Sequence, residues 1–225
     1  MSSAVAVVGG SGQLGFGVAL RLVNAGFPVV IGSRDAERAK QAAGRVESIV
    51  SGADVRGETN EEATRAAGRL VILAVPFANQ LTVLRDVSSS LSAGQVVLDT
   101  SVPLAPALGG RPTQLIGVWS GSAGQQARAA VPAHVGVVSG LHTLSATVLA
   151  DLSTSIDQDT FICGDNGRDK AIVTQILGKI AGLRVVDAGK LEMSRMAEGL
   201  TPLLIGINIR NKIHAGIRVH GLVGG

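Results

Sequence analysis

The chain has 225 residues, 46% of them hydrophobic and 2% aromatic, and its formal net charge is +3 at pH 7. This length suits one large domain or one and a half, while so small a charge and the absence of tyrosine exclude a protein that binds nucleic acid through a strong positive field and base stacking. A single cysteine, Cys163, excludes a disulfide framework and a cysteine-built metal site, and no apolar run reaches the roughly 20 residues of a membrane span.

The first predicted unit is a strand, a glycine turn and a helix. Residues 4–8 are β-formers, the turn carries Gly10, Gly12 and Gly15 in the spacing GxGxxG, and a helical pattern follows. A pyrophosphate over such a turn receives backbone N–H groups and meets the positive end of the helix dipole. The pattern therefore predicts a dinucleotide site, although a turn that only packs the helix on the strand would need similar glycines. Because only residues 1–3 precede this strand, we expect no signal peptide and a cytoplasmic location.

The end of the second predicted strand, residues 27–32, indicates which dinucleotide binds. In NAD-binding proteins an acidic residue at this place accepts hydrogen bonds from the ribose hydroxyls. Here Ser33 and Arg34 stand there, and Arg38 follows one helical turn later. A hydroxyl and two guanidinium groups suit the dianionic 2′-phosphate of NADP, and we interpret Asp35 as the N-cap of the next helix. The sequence therefore favours NADP(H), the plain alternative being a solvated Arg34.

The alternation of strands and helices continues to residue 139. Further strands are predicted over 55–58, 70–75, 95–98 and 134–139, and helices over 60–68 and 77–91. Near-continuous apolar strands are typical of a parallel sheet with helices on both faces. Because ligands of such sheets bind outside the carboxyl ends of the strands, Ser33, Val75 and the segment 101–103 are expected on one rim. The glycine-rich segment 109–124 fits either a mobile lid or a surface loop.

The second half adds a helical stretch, a strand over 160–164, a helix over 168–182, a strand over 183–189 and a helical tail from Lys190. We predict an α/β fold, a Rossmann-type doubly wound parallel sheet with a small C-terminal α/β cap. Residues 1–140 form the NADP-binding domain, and residues 141–225 close a cleft against it. The closing helix, residues 203–217, is apolar on more than one face, which predicts the seam of a homodimer.

Several stretches of the chain resemble one family when they are taken together. They are AVVGGSGQLGFGVALRLVNAG, VIGSRDAERA, LAVPF, SGLHTL, FICGD, LRVVDAGKLEMSRMAEGLTPLL and the closing helix. Many dinucleotide folds share the first, whereas SGLHT, DAGxLxxSR and LTPL are far more specific. On these motifs nearly the whole chain resembles the NADP reductases that depend on coenzyme F420, a hydride-carrying deazaflavin. The resemblance implies reversible hydride transfer between two small-molecule coenzymes, NADP(H) and coenzyme F420, with no metal.

The resemblance also implies roles for individual residues. The pyrophosphate would be held by Ser11, Gly12, Gln13 and Leu14, and the 2′-phosphate by Ser33, Arg34 and Arg38. The rest of the NADP groove would be lined by Val75, Asn79, Val102 and Ala146. The residues around the nicotinamide and deazaflavin rings would be His142, Arg195 and Thr201. Some relatives carry Trp, His and Ser where this chain has Phe77, Asn79 and Gly199, which bears on ring packing and rate rather than on the class of reaction.

The residues alone leave alternatives open. His142 also fits a hydrogen-bonded loop histidine, Arg195 a solvated helix arginine, and Thr201 an N-cap before Pro202. Two other functions would use the same NADPH site: an imine or pyrroline-carboxylate-type reductase, and a non-catalytic NADPH-binding sensor. The SGLHT and LTPL motifs argue against the first, and the second leaves the C-terminal half unexplained. A short-chain dehydrogenase is excluded because the chain has no tyrosine to serve as its catalytic residue.

Overall fold

The computed structural model describes residues 3–222, and within them one sheet of eight strands forms the centre of the molecule. The strands are β1 (Val5–Val8), β2 (Val29–Ser33), β3 (Val55–Thr59), β4 (Leu70–Leu73), β5 (Val96–Asp99), β6 (Gly136–Ser139), β7 (Gln158–Gly164) and β8 (Leu183–Asp187). Their order across the sheet is β3-β2-β1-β4-β5-β6-β7-β8. The strand order reverses between β1 and β4, because β2 and β3 follow on one side of β1 and β4 and β5 on the other. This is the switch point of a Rossmann-type fold, which confirms the predicted fold class.

Helices cover both faces of this sheet. They are α1 (Gln13–Asn24), α2 (Ala36–Ile49), α3 (Asn60–Ala66), α4 (Phe77–Val87), α5 (Ala123–Ala130), α6 (Ala146–Leu149), α7 (Gly167–Leu177) and α8 (Ser194–Asn211). One buried apolar cluster lies under α1, α2 and α7, and a second lies under α3, α4 and α5. The sequence pattern did not indicate α5. Among the described helices, none has the length and hydropathy needed to cross a bilayer.

The first six strands pair in parallel, and their register fixes one common edge. Gly32, Val8, Leu73, Asp99 and Ser139 align in a row from β2 to β6. The segments that follow these residues therefore leave the sheet side by side at its carboxyl edge. This alignment confirms that Ser33, Val75 and the segment 101–103 share one rim.

The residues after 140 add two strands to the same sheet. β7 runs antiparallel to β6, and β8 runs parallel to β7. The predicted boundary between domains 1–140 and 141–225 falls directly after β6, and the division itself stays a prediction. Residues 1–2 and 223–225, the outer ends of the two predicted domains, lie outside the described residues.

The closing helix is shorter than predicted. α8 ends at Asn211, and Lys212 adopts a left-handed φ of 54°, so the helix does not run to residue 217. The chain beyond it is drawn across β7 by Asp159, whose N–H donates to the carbonyl of Ile217 and whose carboxylate accepts from the N–H of Val219. Arg184 forms an ion pair with this buried carboxylate at 2.7 Å. The C-terminal segment is therefore bound to β7 through a fully buried charged residue.

Arg21 joins α1 to the end of α6 and to the segment that follows it. Its guanidinium donates to four backbone carbonyls between residues 148 and 154, and the side chain is buried. A Cβ on Gly17 would lie 2.6 Å from the Cβ of Leu149, so glycine is needed for the helix to approach this closely. The predicted helical stretch is thereby confined to the single turn of α6, next to the start of α1.

Candidate functional site

The turn between β1 and α1 presents free backbone donors. Gly12 is the N-cap residue of α1, no described side chain caps the helix, and the first helical hydrogen bond joins the Phe16 N–H to the Gly12 carbonyl. The N–H groups of residues 13–15 therefore point ahead of the helix into the space above the turn. A Cβ on Gly15 would lie 2.7 Å from the carbonyl oxygen of Gly9, so glycine is required for this tight start.

A cavity of about 500 Å³, here called the phosphate cavity, opens between this turn and the end of β2. It collects seven of the predicted cofactor-binding residues: Ser11, Gly12, Ser33, Arg34, Arg38, Val75 and Asn79. The Ser11 hydroxyl donates to that of Ser33 at 3.2 Å, which links the turn to β2. Ser33 is buried, whereas Arg34 and Arg38 are exposed at the mouth of the cavity.

Asp35 also lines the phosphate cavity, and its role as an N-cap is confirmed. Its carboxylate accepts a hydrogen bond from the Glu37 N–H at 2.9 Å at the start of α2. The acidic group is thus committed to the helix terminus, where it is stabilised by the helix dipole. The groups left at the rim for a ligand are therefore a hydroxyl and two guanidinium groups.

Asn60 belongs to the same cavity and was missed from the sequence. Its side-chain oxygen accepts from the Gly9 N–H at 3.3 Å, and the residue is buried at the cavity wall. The sequence indicated only that Asn60 opens a helix, which it does as the first residue of α3. Its contact with the glycine turn spans 51 positions, so no local pattern could have revealed it.

A smaller cavity of about 220 Å³ lies on the other side of the glycine turn. It brings together Ser11, Gly12 and Gln13, which were predicted to hold the pyrophosphate, and Ala146, which was predicted to line the rest of the NADP groove. The guanidinium carbon of Arg45 lies 4.2 Å from the centre of the Phe16 ring in the wall of this cavity. This cation–π contact adds a positive charge near the turn that sequence reasoning did not single out.

A third cavity of about 320 Å³, here called the β5 cavity, lies beyond the carboxyl end of β5. Its wall consists of Pro103, four residues of 115–118, Gly121 and two residues of α8, Arg195 and Glu198. Arg195 therefore lies at a cavity. Val102 precedes Pro103 in the chain but does not line any of the three cavities described here.

His142 and Thr201 are in contact with each other but lie outside these three cavities. Thr201 donates from its hydroxyl to the carbonyl of His142 at 2.7 Å. Since Thr201 lies inside α8, its interpretation as an N-cap is wrong. The buried ring of His142 has no hydrogen-bond partner at either nitrogen within residues 3–222, so a hydrogen-bonded loop histidine is also wrong. Burial lowers the pKa of His142 to about 4, which keeps the ring neutral at pH 7.

Two buried carboxyl groups at the carboxyl end of β5 were not predicted, and the second of them, Glu198, lies in the wall of the β5 cavity. Asp99, at the end of β5, accepts from Gln80 at 2.9 Å and from the Ser101 hydroxyl at 2.8 Å. Burial raises the pKa of Asp99 to about 6, against the opposing effect of these hydrogen bonds. The only sequence signal was an acidic residue directly after an apolar strand, at the edge where ligands bind.

Glu198 is the second of these carboxyl groups. It accepts hydrogen bonds from the Ala123 N–H at 3.0 Å and the Gly124 N–H at 3.1 Å, the start of α5. The pKa of Glu198 is raised to about 7. Burial and the nearby charge of Asp99 raise it, and they outweigh the two N–H donors, which lower it. The sequence around Glu198 did not indicate its role, because a glutamate in a helix that carries both polar and apolar residues is usually exposed. Within residues 3–222 no group of three or more His, Cys, Asp or Glu side chains is arranged to hold a metal ion.

Comparison with known proteins gives a consistent result. Residues 4–103 match the family model described as NADP oxidoreductase coenzyme F420-dependent. The chain is 40% identical over 222 residues to the F420-dependent NADP reductase of Methanothermobacter marburgensis, covering 97% of this chain and 98% of that protein.

Solved structures agree with this sequence relationship. A structure from Arthrobacter sp. fb24, provisionally described as an F420-dependent NADP reductase, superposes with a TM-score of 0.77 at 25% identity over 94% of this chain and 96% of that one. An imine reductase from Bacillus cereus superposes with a TM-score of 0.58 at 20% identity, over 92% of this chain and 59% of its own. At that identity the second likeness shows a shared fold alone.

Because of these two buried carboxyl groups, we expect the free energy of unfolding to fall as the pH rises. Their pKa values in the folded chain, about 6 for Asp99 and about 7 for Glu198, lie above the roughly 4 expected when unfolded. Between these values the folded state binds more protons, so the free energy of unfolding should fall from pH 4 to pH 8, by up to about 3 kcal/mol for each carboxyl. Chemical denaturation at several pH values measures this slope.

Asp99→Asn tests the assignment of this slope. The variant removes one titrating group and keeps an acceptor oxygen, so its stability should vary less over the same pH range. Asp86→Asn, at an exposed position of α4, is the control and should keep the wild-type slope. An Asp99→Asn protein with the wild-type slope would place the pH dependence elsewhere.

Proposed function

The chain belongs to the F420-dependent NADP reductase family, and from this premise we propose that it transfers hydride reversibly between NADP(H) and coenzyme F420. The observation that carries the proposal is similarity at 40% identity over 97% of the chain to a reductase of that description. The geometry adds support, because the donors that NADP requires and a separate cavity meet at one edge of the sheet. The activity is therefore that of an oxidoreductase with two small-molecule substrates.

The phosphate groups of NADP(H) fit the donors around the glycine turn. We assign the pyrophosphate to the N–H groups of residues 13–15, which lie ahead of α1 without a side-chain cap. Arg34 and Arg38 border the phosphate cavity together with the buried hydroxyl of Ser33, and we assign the 2′-phosphate to these three side chains. The close packing at Gly15 fits this assignment, since a larger residue would displace the donors.

The rest of the dinucleotide would run along the strand ends toward β5. Val75 and Asn79 line the phosphate cavity, and Ala146 lines the smaller cavity on the other side of the turn. Val102 follows β5 at the rim and is assigned to the nicotinamide end. The nicotinamide would then lie next to the β5 cavity, where Pro103 forms part of the wall.

The deazaflavin is assigned to the β5 cavity and its surroundings. Arg195 lines this cavity and would bind the carbonyl edge of the ring or its developing negative charge. His142 brings a buried neutral ring whose nitrogens lack partners among the described residues, and Thr201 holds the backbone of that residue. Hydride transfer needs two rings held face to face, and these groups bind and orient them.

The two alternative functions lack comparable support. The likeness to an imine reductase extends to the fold alone, and the similarity to reductases of the F420-dependent description runs through the C-terminal half as well. A non-catalytic sensor would not need the β5 cavity with its arginine.

We also propose that the enzyme is a homodimer located in the cytoplasm. α8 exposes 60% of Met196, 55% of Leu203 and 63% of Ile209, more apolar surface than a solvated helix normally carries. The lone Cys163 is buried and unpaired, which suits a reducing compartment.

Mixing NADPH with oxidised coenzyme F420 and the folded protein should bleach the visible absorption of the deazaflavin. Hydride addition removes the conjugation that gives the oxidised ring its colour. A stopped-flow instrument follows the decay, and NADPH offered with a cyclic imine instead should be consumed far more slowly. If folded protein leaves F420 oxidised but reduces the imine, the proposed substrate is wrong.

Replacing both Arg34 and Arg38 with alanine should reduce the preference for NADPH over NADH. Two charge-assisted contacts to the 2′-phosphate are lost, so kcat/KM for NADPH should fall about 100-fold while that for NADH stays within about threefold. Arg69→Ala, an exposed position just before β4 at the opposite edge of the sheet, is the matched control. An unchanged ratio of the two efficiencies would contradict the assignment of the 2′-phosphate.

Leu203→Glu should shift the protein from dimer to monomer in sedimentation velocity. The substitution places a charge in the proposed apolar seam, where burial without a partner is costly. Ile49→Glu, at an exposed apolar position of α2 that is 49% exposed, should leave the sedimentation coefficient unchanged. A monomeric wild type would refute the dimer.

A further inference from the structure

The β5 cavity contains an acidic group that the assignments above do not use. Glu198 forms part of its wall beside Arg195, one helical turn further along α8. Only 1% of the residue is exposed, so its carboxyl group is shielded from bulk water. The wall formed by residues 115–118 and Gly121 contributes no titratable side chain to this cavity.

The charged and titratable groups around Glu198 come from three elements. Asp99, at the end of β5, adds a negative charge that disfavours ionisation of Glu198. Cys163 on β7 is close enough for the charge of Glu198 to contribute to a raised thiol pKa. Arg195, on the same helix, is the positive group at the cavity. The Ala123 and Gly124 N–H groups at the start of α5 oppose the effect of these negative charges, because they stabilise the ionised carboxylate of Glu198.

The reaction needs a group that exchanges a proton. NADPH delivers a hydride, which is one proton with two electrons, and leaves as NADP⁺. The reduced deazaflavin contains two more hydrogen atoms than the oxidised form, so a proton must join the hydride for atoms and charge to balance. An acid in the wall that holds the ring is a direct source of that proton.

We propose that Glu198 is this acid, an inference that rests on the proposed function. As the C–H bond at C4 of the dihydronicotinamide breaks and its hydride bonds to C5 of the deazaflavin, negative charge moves to the ring nitrogen conjugated with C5. The O–H bond of the Glu198 carboxyl breaks, the proton bonds to that nitrogen, and the carboxylate remains. In the reverse direction the carboxylate takes the proton back.

The surroundings of Glu198 suit both halves of this exchange. Burial and the charge of Asp99 raise the pKa of Glu198 to about 7, so acid and carboxylate are both populated near neutral pH. A group with its pKa near the working pH is the most effective general acid and base. The carboxylate that remains is held by the Ala123 and Gly124 N–H groups, and each oxygen keeps a further lone pair for a proton.

Carbon-13 NMR of the glutamate carboxyl groups tests the titration in the protein without ligands. One resonance should titrate with a midpoint near pH 7, and Asp99→Asn should lower that midpoint because it removes the neighbouring charge. Glu198→Gln should abolish this resonance. If the Gln variant does not fold, because one amide N–H donor meets its NH2 group, the shift caused by Asp99→Asn still identifies the resonance. A carboxyl that titrates near its ordinary value of about 4.3 overturns the proposal.

Kinetics with NADPH and oxidised F420 provide the second test. Glu198→Gln should lower kcat about 100-fold and remove the fall of kcat at alkaline pH, while the Kd for NADPH, measured by calorimetry, stays within twofold. Glu192→Gln, in the exposed turn that precedes α8, should keep the wild-type kcat and pH profile. An active wild type with an equally active Glu198→Gln overturns this proposal alone, whereas a wild type that cannot reduce F420 overturns the proposed function itself.

Discussion

Parallel pairing of neighbouring strands is the constraint on which every ligand-facing group of this protein depends. The shared register of β2, β1, β4, β5 and β6 brings five separate chain segments out at one edge. The glycine turn, the arginines after β2 and the segment after β5 are up to about 90 positions apart in sequence, yet they become neighbours there. A slip of one residue in any pairing would move the side chains of that strand to the opposite face of the sheet and shift these segments out of alignment.

Buried polar contacts then fix what the sheet brings together. Asn60 holds the glycine turn, Arg21 holds the end of α6 and the segment after it, and Glu198 holds the start of α5. Each contact joins a helix to a turn or to the end of another helix, and each satisfies backbone groups that would be costly to bury alone. The irregular segments of this edge are thus positioned by side chains on regular elements, which limits their motion.

Features of the fold and site that depend on local sequence were predicted, whereas those that depend on contacts between distant positions were missed. Strands, most helices, the glycine turn and the arginines after β2 were predicted, because apolar periodicity, capping and the GxGxxG spacing are local signals. The contacts of Asn60 with Gly9, of Asp99 with Gln80 and of Glu198 with the start of α5 were missed, because each joins positions distant in sequence. α5 was missed because its short sequence has little apolar periodicity. The end of α8 was predicted too late in the chain, because a helical pattern does not show that Asp159 binds the backbone of Ile217 and Val219. The roles of His142, Arg195 and Thr201 came from family resemblance, since their residue types alone fit ordinary structural positions.

Trp119 gives the molecule a built-in optical reporter. It is the one tryptophan of a chain without tyrosine, it is fully exposed, and it follows directly on residues 115–118 of the β5 cavity wall. Ultraviolet emission from the protein therefore arises almost entirely from one indole at the border of that wall. Its wavelength and quenching register the local environment at a single, known place, and a reduced nicotinamide bound nearby would accept its excitation energy. Ligand arrival can thus be followed on the unlabelled protein in real time.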